Sequence, residues 1–162
     1  MAGEFLVAGE LNRRHILCAV TYGSAKSADV WAFDSCSNRA ARVEVKTTGP
    51  GSKKWVVGEK PLTAPANPDV FWVLVMLPQP HPPAVSEDAE RGTHAPRFFV
   101  LSSEDMKAVL AAPAERYLAA YRARHGREFT GPGVPQTNLS EVQDFENRWD
   151  KIEKRVKSAD PR

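Results

Sequence analysis

Hydrophobic residues recur along this chain with two periods, and the changes of period divide it into elements. Residues 3–14 predict a helix: Phe5, Val7, Ala8 and Leu11 fall near helical spacing. Arg13 and Arg14 close it, where a helix C-terminus favours cations. Residues 16–22 are rich in strand formers and predict a strand, and residues 29–34 predict a second. Residues 41–48 alternate with period two and predict a third, after a turn cluster at Ser35-Cys36-Ser37-Asn38. Trp55 to Val57 reads as a short extended piece. Residues 70–77 are almost wholly apolar, which suits a strand covered on both faces. Residues 97–101 predict a further strand.

Ser102-Ser103-Glu104-Asp105 then opens a helix with an N-cap signature. Pro113 is expected to interrupt it, with a second segment running to about Arg124 before Gly126. Residues 139–157 predict one last helix. Its apolar positions, Leu139, Val142, Phe145, Trp149, Ile152 and Val156, are spaced by three and four and form a single stripe. Five of the thirteen prolines lie between Pro78 and Pro96, which predicts an exposed loop. Gly131 to Pro135 is another breaker. The order helix, three strands, two more strands and helices predicts an α/β fold, a mixed sheet with helices packed on it.

Length and composition add boundaries. A chain of 162 residues fits one domain and can bury a core without staples. No apolar run approaches the length of a membrane span. The N-terminus lacks a basic region followed by a long apolar stretch, so a cytoplasmic location is expected and no membrane partner. Cys18 and Cys36 are too few for a disulfide scaffold. The net charge of +2 is mild, but residues 1–60 hold nine Lys/Arg against six Asp/Glu. Arg42, Lys46, Lys53, Lys54 and Lys60 crowd around the third strand.

That strand carries the candidate chemistry. Side chains alternate on an extended chain, so Glu44 and Lys46 share one face while Val43 and Val45 point to the other. Charged groups on a core strand are costly unless paired or metal-bound. Asp29 opens the preceding strand. If the two strands pair antiparallel, Asp29 lies beside Glu44 and Lys46. Two carboxylates suit Mg²⁺, and a lysine beside them can hold a water or stabilise charge on a phosphoryl oxygen.

The run Asp29-Val30-Trp31-Ala32-Phe33, a turn, then Val43-Glu44-Val45-Lys46-Thr47 resembles the core motif of PD-(D/E)XK nucleases. Gly3-Glu4 on the first helix resembles the helical glutamate of the branches near Holliday-junction resolvases and small bacterial endonuclease-like proteins. The stretch from Tyr22 to Asp29 adds to the likeness, which covers residues 3–60 best. The resemblance implies a restriction-endonuclease-like fold: a central mixed sheet flanked by helices, with an αβββ-αβ core and extra C-terminal helices. It implies a nuclease-like core over residues 1–126. Residues 127–162 would form a linker and an amphipathic helix, packed on the core or in a dimer.

The resemblance also implies roles. Asp29 and Glu44, with the Val45 carbonyl, would ligate Mg²⁺, for which Mn²⁺ can substitute. Lys46 would position or activate the attacking water, and Glu4 would be an accessory acid, favoured over Glu10. Lys26, Lys53 and Lys54, with Trp55 as a stacking aromatic, are the candidate nucleic-acid contacts; a solvated loop beside a buried Trp55 is the alternative reading of the same residues. Where members of that family often have a glycine between the first helix and the next strand, this chain reads Arg14-His15-Ile16. No Gln-x-x-x-Tyr follows the lysine, which speaks against a processive exonuclease.

The expected function is a Mg²⁺-dependent DNA endonuclease, with a homodimer or a partner protein supplying specificity. The alternative is a catalytically silent module of the same fold that binds nucleic acid or a protein. A third reading, a structural subunit docking through the last helix, requires that helix to be unburied within the chain.

Overall fold

The computed structural model describes residues 1–22, 28–78, 95–130 and 134–157. Its elements are α1 (Ala2–Arg13), β1 (Leu17–Val20), β2 (Val30–Phe33), β3 (Ala40–Thr48), β4 (Lys54–Val56) and α2 (Lys60–Thr63). Then follow β5 (Val70–Met76), β6 (Arg97–Ser102), α3 (Ser103–His125), β7 (Gln136–Asn138), α4 (Leu139–Val142), a 3₁₀ turn (Gln143–Phe145) and α5 (Asp150–Val156). Lys26, most of the proline-rich stretch (79–94) and the breaker at 131–133 lie outside the described residues.

Five strands form one mixed sheet in the order β1-β2-β3-β5-β6. β1, β2 and β3 are antiparallel neighbours, β5 runs parallel to β3, and β6 antiparallel to β5. The protein is therefore a mixed α/β fold with helices on both faces of its sheet. Alternation sends Val43, Val45, Val73 and Val100 to one face, where Val7 and Leu11 of α1 and Trp149, Ile152 and Val156 cover them. Trp72, Leu74, Phe99 and Leu101 line the other face, under Met106 and Leu110 of α3 together with Trp55 and Val142. β5 is buried on both faces, as its apolar run requires.

Helix α1 forms as expected, with Val7, Ala8 and Leu11 buried and Phe5 51% exposed. Three expectations are corrected. Pro113 does not interrupt α3, which is one helix of 23 residues. Firm ends hold it through the proline: a capping box between Ser102 and Asp105, and Gly126 in the left-handed region at φ 64. The last helix is not continuous from 139 to 157. Its stripe divides, with Val142 entering one core and Trp149, Ile152 and Val156 the other. Between them the chain rounds the β6 edge, where Glu146 bridges Phe99 and Asn147 adopts φ 54. Finally, the crossover from β3 to β5 contains only the four-residue α2, not a full helix.

The division of the last stripe bears on the structural-subunit reading. Ile152 and Val156 are fully buried within the chain, which leaves that stripe no free apolar face. Among the described residues, no helix is long and apolar enough to cross a membrane.

Candidate metal centre

The first face of the sheet is closed, but the second is covered only over β5 and β6. Over β1 and β2 its residues stay open among the described residues: Leu17 and Phe33 are exposed and Trp31 is half-buried. Glu44 and Lys46 belong to this second face, since their parallel partners Trp72 and Leu74 line it. Continuing the β2–β3 register one residue beyond Val30↔Val43 sets Asp29 opposite Glu44. Two carboxylates and a lysine thus meet where the covered half of the sheet gives way to the open half.

The ladder changes character at this point. The Asp29 N–H donates to the Val43 carbonyl at 3.0 Å. Its side chain replaces the next ladder bond: the Val45 N–H donates to Asp29 Oδ2 at 2.7 Å. One carboxylate oxygen is thereby anchored by the backbone. A strand residue presents its N–H and C=O to the same side, so the Val45 carbonyl also faces the end of β2. Glu44, only 12% exposed, is ion-paired through Oε1 with the ammonium of Lys60, which is 54% exposed. The Lys46 ammonium lies 5.9 Å from the Trp72 ring centroid.

Glu4 reaches the same region from the far side of the sheet. Gly3 makes the approach feasible: a Cβ there would lie 2.0 Å from Thr47 Oγ1 and 3.3 Å from Val45 Cγ1. Burial pushes the Glu4 carboxyl up, but the terminal ammonium, its own backbone and the charge of Lys46 outweigh burial and hold it below the ordinary value. The terminal nitrogen stands 2.6 Å from Glu4 Oε2 and gives that buried oxygen its charge partner. Glu10, the other candidate acid, is taken up by Arg13 and Arg14.

Asp29, Glu44 and the Val45 backbone are hard oxygen donors of the kind Mg²⁺ takes, and Mg²⁺ completes its shell with waters. No group of three His, Cys, Asp or Glu side chains is placed to hold a metal ion among the described residues. Any site here rests on two carboxylates and a carbonyl.

The proposed nucleic-acid contacts fare unequally. Lys53 and Lys54 are exposed, beyond the end of β3. Trp55 is corrected: it is 1% exposed, its Nε1 donates to the Val75 carbonyl at 3.0 Å, and its ring packs edge-on against Phe99. A base has no face of Trp55 to stack on. Lys60, one of the bases noted around the third strand, pairs with Glu44 itself, a contact the sequence did not indicate. A lysine sixteen residues beyond Glu44 across a loop carries no local signal; only α2 brings it back.

None of the known family models matches the sequence, and none of the curated proteins compared with it is similar.

Proposed function

We propose that this chain is a Mg²⁺-dependent nuclease of the PD-(D/E)XK type, an endonuclease that hydrolyses phosphodiester bonds in DNA, with Mn²⁺ able to substitute. The observation that carries the reading is the meeting of Asp29, Glu44 and Lys46 on one open stretch of sheet, with Asp29 anchored on the Val45 amide. Element order supports it. A helix, three antiparallel strands and a fourth strand parallel to the third follow the order of the αβββ-αβ core, although the crossover helix is reduced to α2. His15 supports it too. It adopts φ 58, the left-handed conformation a glycine takes freely, between the first helix and the next strand, where members of the family this chain resembles often have a glycine.

In this reading Asp29, Glu44 and the Val45 carbonyl hold the metal. When bound, Mg²⁺ supplies a polarised phosphoryl oxygen and a water of lowered pKa. Lys46 holds the attacking water by donating to it, or stabilises negative charge gathering on the phosphoryl oxygens. Glu4 orients the Lys46 ammonium by its charge. Lys60, free to swing because it is exposed, moves from Glu44 to a neighbouring phosphate. Lys53 and Lys54 neutralise phosphates further along the strand.

The test is cleavage of supercoiled plasmid, linear duplex and branched DNA with Mg²⁺, Mn²⁺ or EDTA, comparing wild type with Lys46→Ala. Metal-dependent cutting lost in the variant is expected. The Lys60–Glu44 pair favours a second reading, a silent module in which lysine already neutralises the would-be ligand. Calorimetry separates the two: Mn²⁺ heat that vanishes in Glu44→Ala supports the nuclease, and no Mn²⁺ heat from wild type supports the silent module.

A further inference from the structure

Helix α3 changes character halfway along. Its first part is anchored by Met106 and Leu110, both buried. Over residues 115–130 every residue is exposed except the half-buried Tyr121 and Phe129. The helical part of this arm, residues 115–125, extends about 16 Å at 1.5 Å per residue. A helix open on all sides carries polar residues all round unless something else covers it. This one carries Tyr117, 54% exposed, and Leu118, together with Ala119, Ala120 and Ala123.

The aromatic rings are organised. Phe129, returning after Gly126, packs edge-on against Tyr117 and Tyr121, with centroids 5.4 and 5.1 Å apart. His125 lies against Tyr121 at 4.3 Å and 35°. Tyr117, Tyr121, Arg124 and His125 line one shallow groove. Charge surrounds it unevenly. Arg116 pairs with Glu141 and Arg122 with Glu128. Arg124 and Arg127 have no acidic side chain within ion-pair distance among the described residues. A helix C-terminus favours cations, but Arg127 lies beyond the Gly126 cap, where that explanation weakens.

We infer that this arm is a docking surface for single-stranded DNA, whose bases stack on Tyr117 and the Tyr121–His125 pair while Arg124 and Arg127 neutralise its phosphates. Aromatic rings interleaved with unpaired arginines are the chemistry that holds single strands without reading sequence. A polyanion is the occupant that complements the arginines. The choice of DNA rests on the nuclease reading; the arm itself stands apart from the Asp29–Glu44 centre.

The experiment is fluorescence anisotropy of a labelled single-stranded oligonucleotide with the full chain in EDTA, where cleavage cannot occur. Arg124→Glu with Arg127→Glu is expected to weaken binding about 10-fold or more. Replacing both arginines by Gln should lower the slope of log K against log salt by about 1.4, two phosphate contacts on a single strand. Tyr117→Ala should weaken binding several-fold at unchanged melting temperature. No binding by wild type, equal binding by the arginine variants, or tighter binding of an RNA of the same sequence would overturn the assignment. So would a concentration-dependent dimer abolished by Tyr117→Ala, which makes the arm a contact between copies. Arm-dependent binding without cleavage by any metal sinks the nuclease reading alone; cleavage with arm-independent binding sinks this one alone.

Discussion

The two faces of β3 differ in both cover and charge. Toward α1 and α5 the strand presents Val43 and Val45, both sealed into the core. Toward the other side the same strand presents Glu44 and Lys46, at the margin where the cover supplied by α3 and Trp55 ends. One strand thus serves as wall and as bench. The lesson is about separation of tasks. Charge is tolerated at the sheet centre because half of one face is open, and stability is carried by the face that is not. Substitutions on the closed face should change stability, whereas substitutions on the open face should change chemistry.

The largest expected effect tests the closed face. Trp149 is 2% exposed, 5.5 Å from the Phe98 ring, with the Arg14 guanidinium 4.8 Å above it. Trp149→Ala should cost about 3–5 kcal/mol in urea unfolding. Among the described residues its buried Nε1 has no hydrogen-bond partner. Trp149→Phe should therefore lose much less, and equal losses would mean that the indole nitrogen matters.

Asp29 lies on the boundary and should show both behaviours. The motif alone predicts that Asp29→Ala leaves the fold intact. The bond to the Val45 N–H revises this, since alanine strands a backbone donor at a cost of about 1–3 kcal/mol. Asp29→Asn can still accept that bond through its amide oxygen. Unfolding midpoints should rank wild type and Asn together above Ala, while Mn²⁺ calorimetry should rank both variants below wild type.

A smaller effect, visible in acid, lies where α3 starts. Burial pushes the Asp105 carboxyl up, but Lys151 at 2.8 Å and the bonds from Ser102 outweigh it and hold it below its ordinary value. A carboxyl lowered by folding contributes stability that is present above the ordinary aspartate value, about 3.9, and is lost as pH falls through the folded value. Asp105→Asn should lose about 1 kcal/mol at neutral pH, as caps do, and should flatten the acid limb below that range. An unchanged acid limb would place the sensitivity elsewhere, for example at Glu146, which Arg97 also holds low.

What the pattern of residues reveals follows the same division. Period-two alternation in β3 and the continuous apolar run of β5 are local signals of burial, and both strands stand within one residue of expectation. The pairing that sets Asp29 beside Glu44 was legible because the two strands are consecutive. The stripe from Leu139 to Val156 misled because spacing reports periodicity, not which core a residue enters. Asn147, a residue that tolerates φ > 0, was the one local hint of the break. β7 pairs with β4 some eighty residues earlier, and Lys60 returns to Glu44 through α2; neither contact leaves a trace in nearby sequence. Trp55 looked like a stacking aromatic beside two lysines, but its alternation with exposed Lys54 and Val56 marks a core position.

The smallest expected change in stability belongs to Lys46, and it sharpens the comparison most. Its ammonium faces Trp72 at 5.9 Å, a cation–π contact worth about 0.5–1 kcal/mol at an accessible site. Lys46→Ala should therefore shift the urea midpoint by no more than that contact, and on the proposed nuclease reading it should also abolish cleavage. Lys46→Met keeps most of the stem over the Trp72 ring and should leave stability closer to wild type with cleavage still absent. A loss of several kcal/mol in either variant would mean that Lys46 is a structural pillar between Trp72 and the charge of Glu4. The open face of β3 would then carry the fold, and the separation of tasks between its two faces would fail.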